Sequence, residues 1–171
     1  MNFEAILLDL KAKKYQPVYF LMGEESYYID YISDYISSEV LNDTEKEFNQ
    51  TVLYAKDIDV QTVISTAKQF PFMGERMVVI VKEAQQLKKI EDLENYLKNP
   101  QESTILVFCH KYKSLDKRKS IYKTLSKKAV LFESKKLYDN QVPAWIVNYL
   151  SSKQYKICLL YTSPSPRDCR L

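Results

Sequence analysis

Short unbroken apolar runs recur along the chain, and between them apolar residues return every three or four positions. The runs at 18–22 (Val-Tyr-Phe-Leu-Met), 77–81 (Met-Val-Val-Ile-Val) and 104–109 (Thr-Ile-Leu-Val-Phe-Cys) are rich in strand formers. Being apolar on both faces, they suit central parallel strands. Weaker runs at 48–54 and 129–133 complete a set of five. Helical spacing brings together Phe3, Ile6, Leu7 and Leu10 behind a cap at Asn2, then Ile29, Ile32, Ile36 and Val40 in a segment opened by Glu24 and Glu25. It does the same for Val60, Val63, Ile64 and Ala67 behind Asp59, for Ile90, Leu93 and Leu97 within 88–98, and for a helix at 116–126. Strands alternating with helices predict an α/β fold, a mostly parallel five-stranded sheet flanked by helices, with right-handed crossovers. A last stripe, Val142, Trp145, Ile146, Tyr149 and Leu150, has no strand after it. It reads as the start of a second, helical domain with Trp145 in its core. No internal repeat is present.

Composition narrows the chemistry. The 171 residues are 46% hydrophobic and 27% charged, the balance of a soluble globular chain and not of a disordered one. No apolar run approaches the roughly 20 residues that cross a bilayer. Glu4 and Asp9 at the amino end depart from a signal-peptide layout, so a cytoplasmic location and no membrane contact are expected. One histidine (His110) and three scattered cysteines offer no zinc cluster, and Cys109 reads as a small buried hydrophobe. Only two glycines occur, Gly23 and Gly74, too few for a P-loop or a dinucleotide fingerprint. The turn Gly23-Glu24-Glu25-Ser26-Tyr27 carries two carboxylates and no lysine, so like-charge repulsion would oppose a phosphate at this helix end. Glu24 and Glu25 point apart on a helix and do not make an acid/base pair. No catalytic, metal or cofactor residues are therefore expected, and ATP binding is not.

Three stretches remain. Gln69-Phe70-Pro71-Phe72-Met73-Gly74-Glu75-Arg76 carries large apolar residues in a connection, which is expected only if they are buried or used. The residues alone place Phe70 in the core and leave Phe72 open between core and surface. Between 109 and 136 ten lysines or arginines face only Asp116 and Glu133 in sequence, while the whole chain is just +3. This is either a solvated helix face or a contact for phosphate backbones, with Lys117, Arg118, Lys119 and Lys123 at its centre. Residues 158–171 lack periodicity, carry two prolines and resemble a translated sequencing adapter; the native sequence is expected to stop near Ile157.

The ordered motifs carry a family resemblance over about residues 1–157. Pro17-Val18-Tyr19-Phe20-Leu21-Met22-Gly23-Glu24-Glu25-Ser26-Tyr27 resembles the opening strand and turn of the delta subunits of bacterial DNA polymerase III clamp loaders. Phe70-Pro71-Phe72-Met73-Gly74-Glu75-Arg76-Met77 resembles their clamp-contacting segment; Leu115-Asp116-Lys117-Arg118-Lys119 and Val142-Pro143-Ala144-Trp145-Ile146 also fit, in a Bacteroidetes-like form. The resemblance implies an AAA+-like clamp-binding domain without a P-loop at 1–136, the start of a helical lid domain at 137–157, and a collar domain for which this chain is too short. It implies a non-catalytic subunit of a nucleotidyltransferase complex that binds and opens the sliding clamp (the beta subunit) for loading onto primed DNA. The expected partners are the motor subunits gamma/tau, delta-prime and DNA. Pro71, Phe72 and Met73 match the clamp-contacting positions; Lys117, Arg118, Lys119 and Lys123 would meet DNA or a neighbouring subunit. Two rival readings are an active P-loop ATPase of the same fold and a general nucleic-acid-binding adaptor.

Overall fold

The computed structural model describes residues 2–72, 74–152, 154 and 155. Met73 and the stretch 158–171 thus lie outside the described residues. Contacts divide the chain into two compact units, Met1–Lys135 and Lys136–Leu171. The first holds a five-stranded sheet in the order β2-β3-β4-β1-β5, and every pairing is parallel. The strands are β1 Val18–Gly23, β2 Gln50–Tyr54, β3 Met77–Lys82, β4 Thr104–Lys111 and β5 Val130–Ser134. The helices are α1 Phe3–Lys11, α2 Ser26–Glu39, α3 Asp43–Asn49, α4 Val60–Ala67, α5 Leu93–Lys98 and α6 Ser120–Lys128, with α7 Val142–Ser152 in the second unit.

The expected parallel α/β sheet is therefore present, and the alternation of side chains explains its stability. Val18, Phe20 and Met22 of β1 join Val79, Val81, Leu106 and Phe108 in one core beneath α4, α5 and α6. Tyr19 and Leu21 join Val78, Ile80, Ile105, Val107 and Cys109 in a second core beneath α1 and α2. Both faces being covered, the three central strands carry no polar alternation. Local caps fix the helix starts: Asn2 accepts from the Ala5 amide at 2.9 Å, and Asp59 accepts from Thr62 at 2.8 Å. Gly23 ends β1 at φ +128°, and a Cβ there would come within 2.0 Å of the Ser134 carbonyl oxygen.

Three elements depart from the sequence reading. Phe48 and Asn49 belong to helix α3, not to the second strand. Its start is a reciprocal cap: the Glu45 amide donates to Asn42 Oδ1 at 2.8 Å and the Asn42 amide to Glu45 Oε2 at 3.1 Å. The segment at 88–98 is not one helix, because Lys89 sits at φ +54° and a tight 3-10 turn, Ile90–Asp92, precedes α5. The helix expected at 116–126 begins at Ser120. Asp116 instead accepts from the Arg118 amide at 2.9 Å, a local bond that competes with helix entry. In the second unit, Trp145 is half-buried, stacked on Tyr149 at 5.3 Å. Among the described residues no helix is long and apolar enough to cross a membrane.

His110, at the carboxyl end of β4, is 6% exposed and donates from Nδ1 to the Lys113 carbonyl at 2.9 Å. Burial pushes its imidazole below the ordinary 6.5. Below pH 6.5 the unfolded chain takes up a proton that the folded chain refuses, so this group leaves stability untouched above that pH and erodes it as the pH falls toward the folded-state value. Urea midpoints should drop between pH 7.5 and about 5.5, before carboxylates titrate, and His110→Asn should flatten that drop. A flat wild-type profile would contradict this assignment.

Candidate functional site

Parallel strands force each connection to run from the carboxyl ends of the strands back to their amino ends. The connection from α4 to β3 crosses the amino ends of β2, β3 and β4, and it is held at both sides. At its start the buried Tyr96 hydroxyl donates to the Ala67 carbonyl at 3.4 Å, at the last turn of α4. At its end the Met77 amide donates to the Ser103 carbonyl at 2.9 Å, and the Arg76 guanidinium lies 5.1 Å from the centre of the Tyr15 ring.

Between these anchors the chain presents aromatic side chains to solvent. Phe70 is 79% exposed, which corrects the expectation that it packs in the core. The connection here runs over the rim of the sheet, above the last covered positions of the strands. Phe72 is 58% exposed and Pro71 half-buried. The Phe72 ring lies 5.6 Å from Phe48 of α3, itself 59% exposed, at an interplanar angle of 50°. Phe48, Phe70 and Phe72 are thus exposed aromatics brought to one rim of the sheet, with Val52 and Tyr54 exposed along the edge strand β2.

The backbone beneath them is fixed. Asn49, 1% exposed, accepts from the Phe72 amide through Oδ1 at 2.6 Å and donates from Nδ2 to the Phe72 carbonyl at 2.8 Å. One side-chain amide thus satisfies both backbone groups of Phe72, as a neighbouring strand would. Gly74 packs closely here: a Cβ would come 2.9 Å from Asn49 Nδ2 and 3.0 Å from Glu45 Oε1. Reading the sequence missed Phe48 and Asn49. The local signal was Asn42-Asp43-Thr44-Glu45, a helix-start signature that would have moved both residues out of a strand.

At the opposite rim, the carboxyl ends of the strands, three amides of the turn after β1 have partners within the chain. The Gly23 amide donates to the Lys113 carbonyl at 3.2 Å, the Glu24 amide to the Ser134 carbonyl at 3.2 Å, and the Tyr27 amide to the carboxylate of Glu25 at 3.3 Å. Glu25 caps α2 with its own side chain, where a nucleotide phosphate would bind in a P-loop fold. Among the described residues no three His, Cys, Asp or Glu side chains gather as a metal site.

The basic stretch is partly neutralised from a distance. Lys111 pairs with Asp30 at 2.7 Å, Lys117 with Glu133 at 3.1 Å and Lys119 with Glu91 at 2.6 Å. The hydrogen bond from Lys119 holds the Glu91 carboxyl below its ordinary range. Of the four basic residues singled out, Arg118 and Lys123 stand exposed, whereas Lys117 and Lys119 are engaged in these pairs.

Comparison with known proteins adds the following. A family described as DNA polymerase III, delta subunit, matches residues 19–135. The chain is 34% identical over 159 residues to the DNA polymerase III subunit delta of Bacillus subtilis (strain 168), covering 87% of this chain and 46% of that protein. The solved structure of the Bacillus subtilis DNA clamp loader delta protein superposes with a TM-score of 0.77 at 31% identity, over 92% of this chain and 50% of that one. The chain therefore spans about half the length of these relatives.

If Gly74 is small because Asn49 presses on it, Gly74→Ala should lower stability by on the order of 1 kcal/mol and speed hydrogen exchange at the Phe72 amide. Thermal unfolding with amide-resolved exchange checks both; unchanged Phe72 protection would show that the close approach does not matter.

Proposed function

The chain belongs to the DNA polymerase III delta subunit family, and from that premise we propose that it is the clamp-binding arm of a clamp loader. In this reading Pro71, Phe72 and Met73 dock on the sliding clamp, the beta ring. The observation that carries it is Phe72: a large ring 58% exposed on a backbone gripped from within by a buried amide. Exposed aromatics on a fixed backbone are the usual energetic centres of protein interfaces. Pro71 restricts Phe70 to extended geometry and helps project the pair. Met73 is assigned here from its position in the segment alone.

The mechanism is a shift of population. A ring that exists closed and open is drawn toward the open state by a partner that fits the opened curvature better. No bond is made or broken by this chain. ATP hydrolysis belongs to the motor subunits gamma/tau, with delta-prime completing the loader, and the assembly serves a nucleotidyltransferase complex in the cytoplasm. The occupied amides at Gly23, Glu24 and Tyr27 support this division and speak against the reading as an active P-loop ATPase. Exposed Arg118 and Lys123 support a secondary contact with DNA or a neighbouring subunit. A general nucleic-acid adaptor would use only that surface and leave the aromatic rim without a role.

Two measurements test the reading. Replacing Phe72 and Met73 together by alanine should weaken capture by the immobilised clamp about tenfold or more, with thermal unfolding unchanged. Undiminished capture by the folded double variant would remove the site. A calorimetric titration with ATP should give no saturable binding; micromolar affinity would restore the ATPase reading.

A further inference from the structure

Helix α3 buries one side chain, Asn49, and that side chain is spent on the backbone of Phe72. The residue before it, Phe48, leaves its ring in solvent against the Phe72 ring. We propose that the clamp-docking surface is composite: Phe48 of α3 contacts the sliding clamp beside Phe72, and Asn49 is the positioning residue that holds Phe72 for that contact. The inference rests on the clamp-docking reading above and extends it to a second chain segment.

The geometry separates the two roles. Phe48 and Phe72 are 59% and 58% exposed, so most of each ring is left for a partner after they meet at 5.6 Å. Asn49 is 1% exposed and touches no partner; it acts only through Phe72. Because its amide binds the Phe72 N–H and C=O, it fixes the backbone without using the side chain, which stays free to project. A ring already held in place loses less conformational freedom on docking, so affinity rises without an added contact. Phe48 works from the same helix end, one residue away, and restrains the Phe72 ring from the side.

The test uses the full 171-residue chain and the recombinant sliding clamp from the same organism. Clamp affinity is measured for Phe48→Ala, Phe72→Ala, Asn49→Ala and the two double variants that include Phe72→Ala, alongside thermal unfolding and amide exchange. Phe48→Ala and Asn49→Ala should each weaken binding about tenfold. Asn49→Ala should also speed exchange at the Phe72 amide while leaving the β3 amides protected. In the Phe72→Ala background, Asn49→Ala should cost nothing further, which a general loss of fold would not reproduce. Wild-type affinity in either Phe48→Ala or Asn49→Ala, with Phe72→Ala still weakened, overturns the inference and leaves the docking reading standing. Should Asn49→Ala unfold, Asn49→Asp, which keeps the acceptor for the Phe72 amide and loses the donor, takes its place with the same expected loss. Wild-type affinity in Phe72→Ala overturns the docking reading, and this inference falls with it.

Discussion

Five strands running one way is the constraint from which the rest of the first unit follows. A parallel sheet cannot be closed by hairpins, so every strand returns through a crossover, and both faces are covered by the helices that make it. All variable backbone is thereby sorted to two rims. The carboxyl rim carries the turns after β1, β4 and β5; the amino rim carries the connections into β2, β3 and β4. The helix-covered faces are committed to two cores, and the exposed aromatics of the α4–β3 connection belong to the amino rim.

The two rims differ in what their backbone amides are doing. On the carboxyl rim, Gly23, Glu24 and Tyr27 donate to groups of the protein itself, two carbonyls and one carboxylate. An anion arriving there would have to displace these bonds and meet the charge of Glu25 as well. On the amino rim, a side-chain amide takes the place of a strand for one residue, and beyond it the aromatic rings face water. Three amides of one rim are thus already satisfied within the chain. On the other, the Phe72 backbone is fixed from beneath and the rings beyond it stand in solvent.

The strands were legible because buried parallel strands leave nothing polar to interrupt them; the run at 77–81 fell one residue short of β3, whose last residue is the polar Lys82. Helix α3 was not legible by periodicity, since it has no apolar stripe: its one large apolar residue, Phe48, faces solvent. Asn49 could not be recognised from its neighbours in sequence, because its partner lies 23 residues away and is a backbone, not a side chain. Phe70 was misplaced by the ordinary rule that large aromatics are buried, a rule that fails where the chain must cross a rim. The basic stretch looked less opposed than it is, because Asp30 and Glu91 reach it from other elements.

The economy of α3 argues for what the aromatic rim is for. Burying a side-chain amide without partners is costly, and pairing it recovers little beyond that cost. An apolar residue at position 49 would have served a core at least as well. What Asn49 supplies and an apolar residue would not is a fixed conformation for one exposed position of a loop. Likewise, two phenyl rings leaning on each other in water add little to the fold and cost solubility. A buried amide that orders a backbone and exposed rings that ride on it are the two halves of the docking surface proposed above.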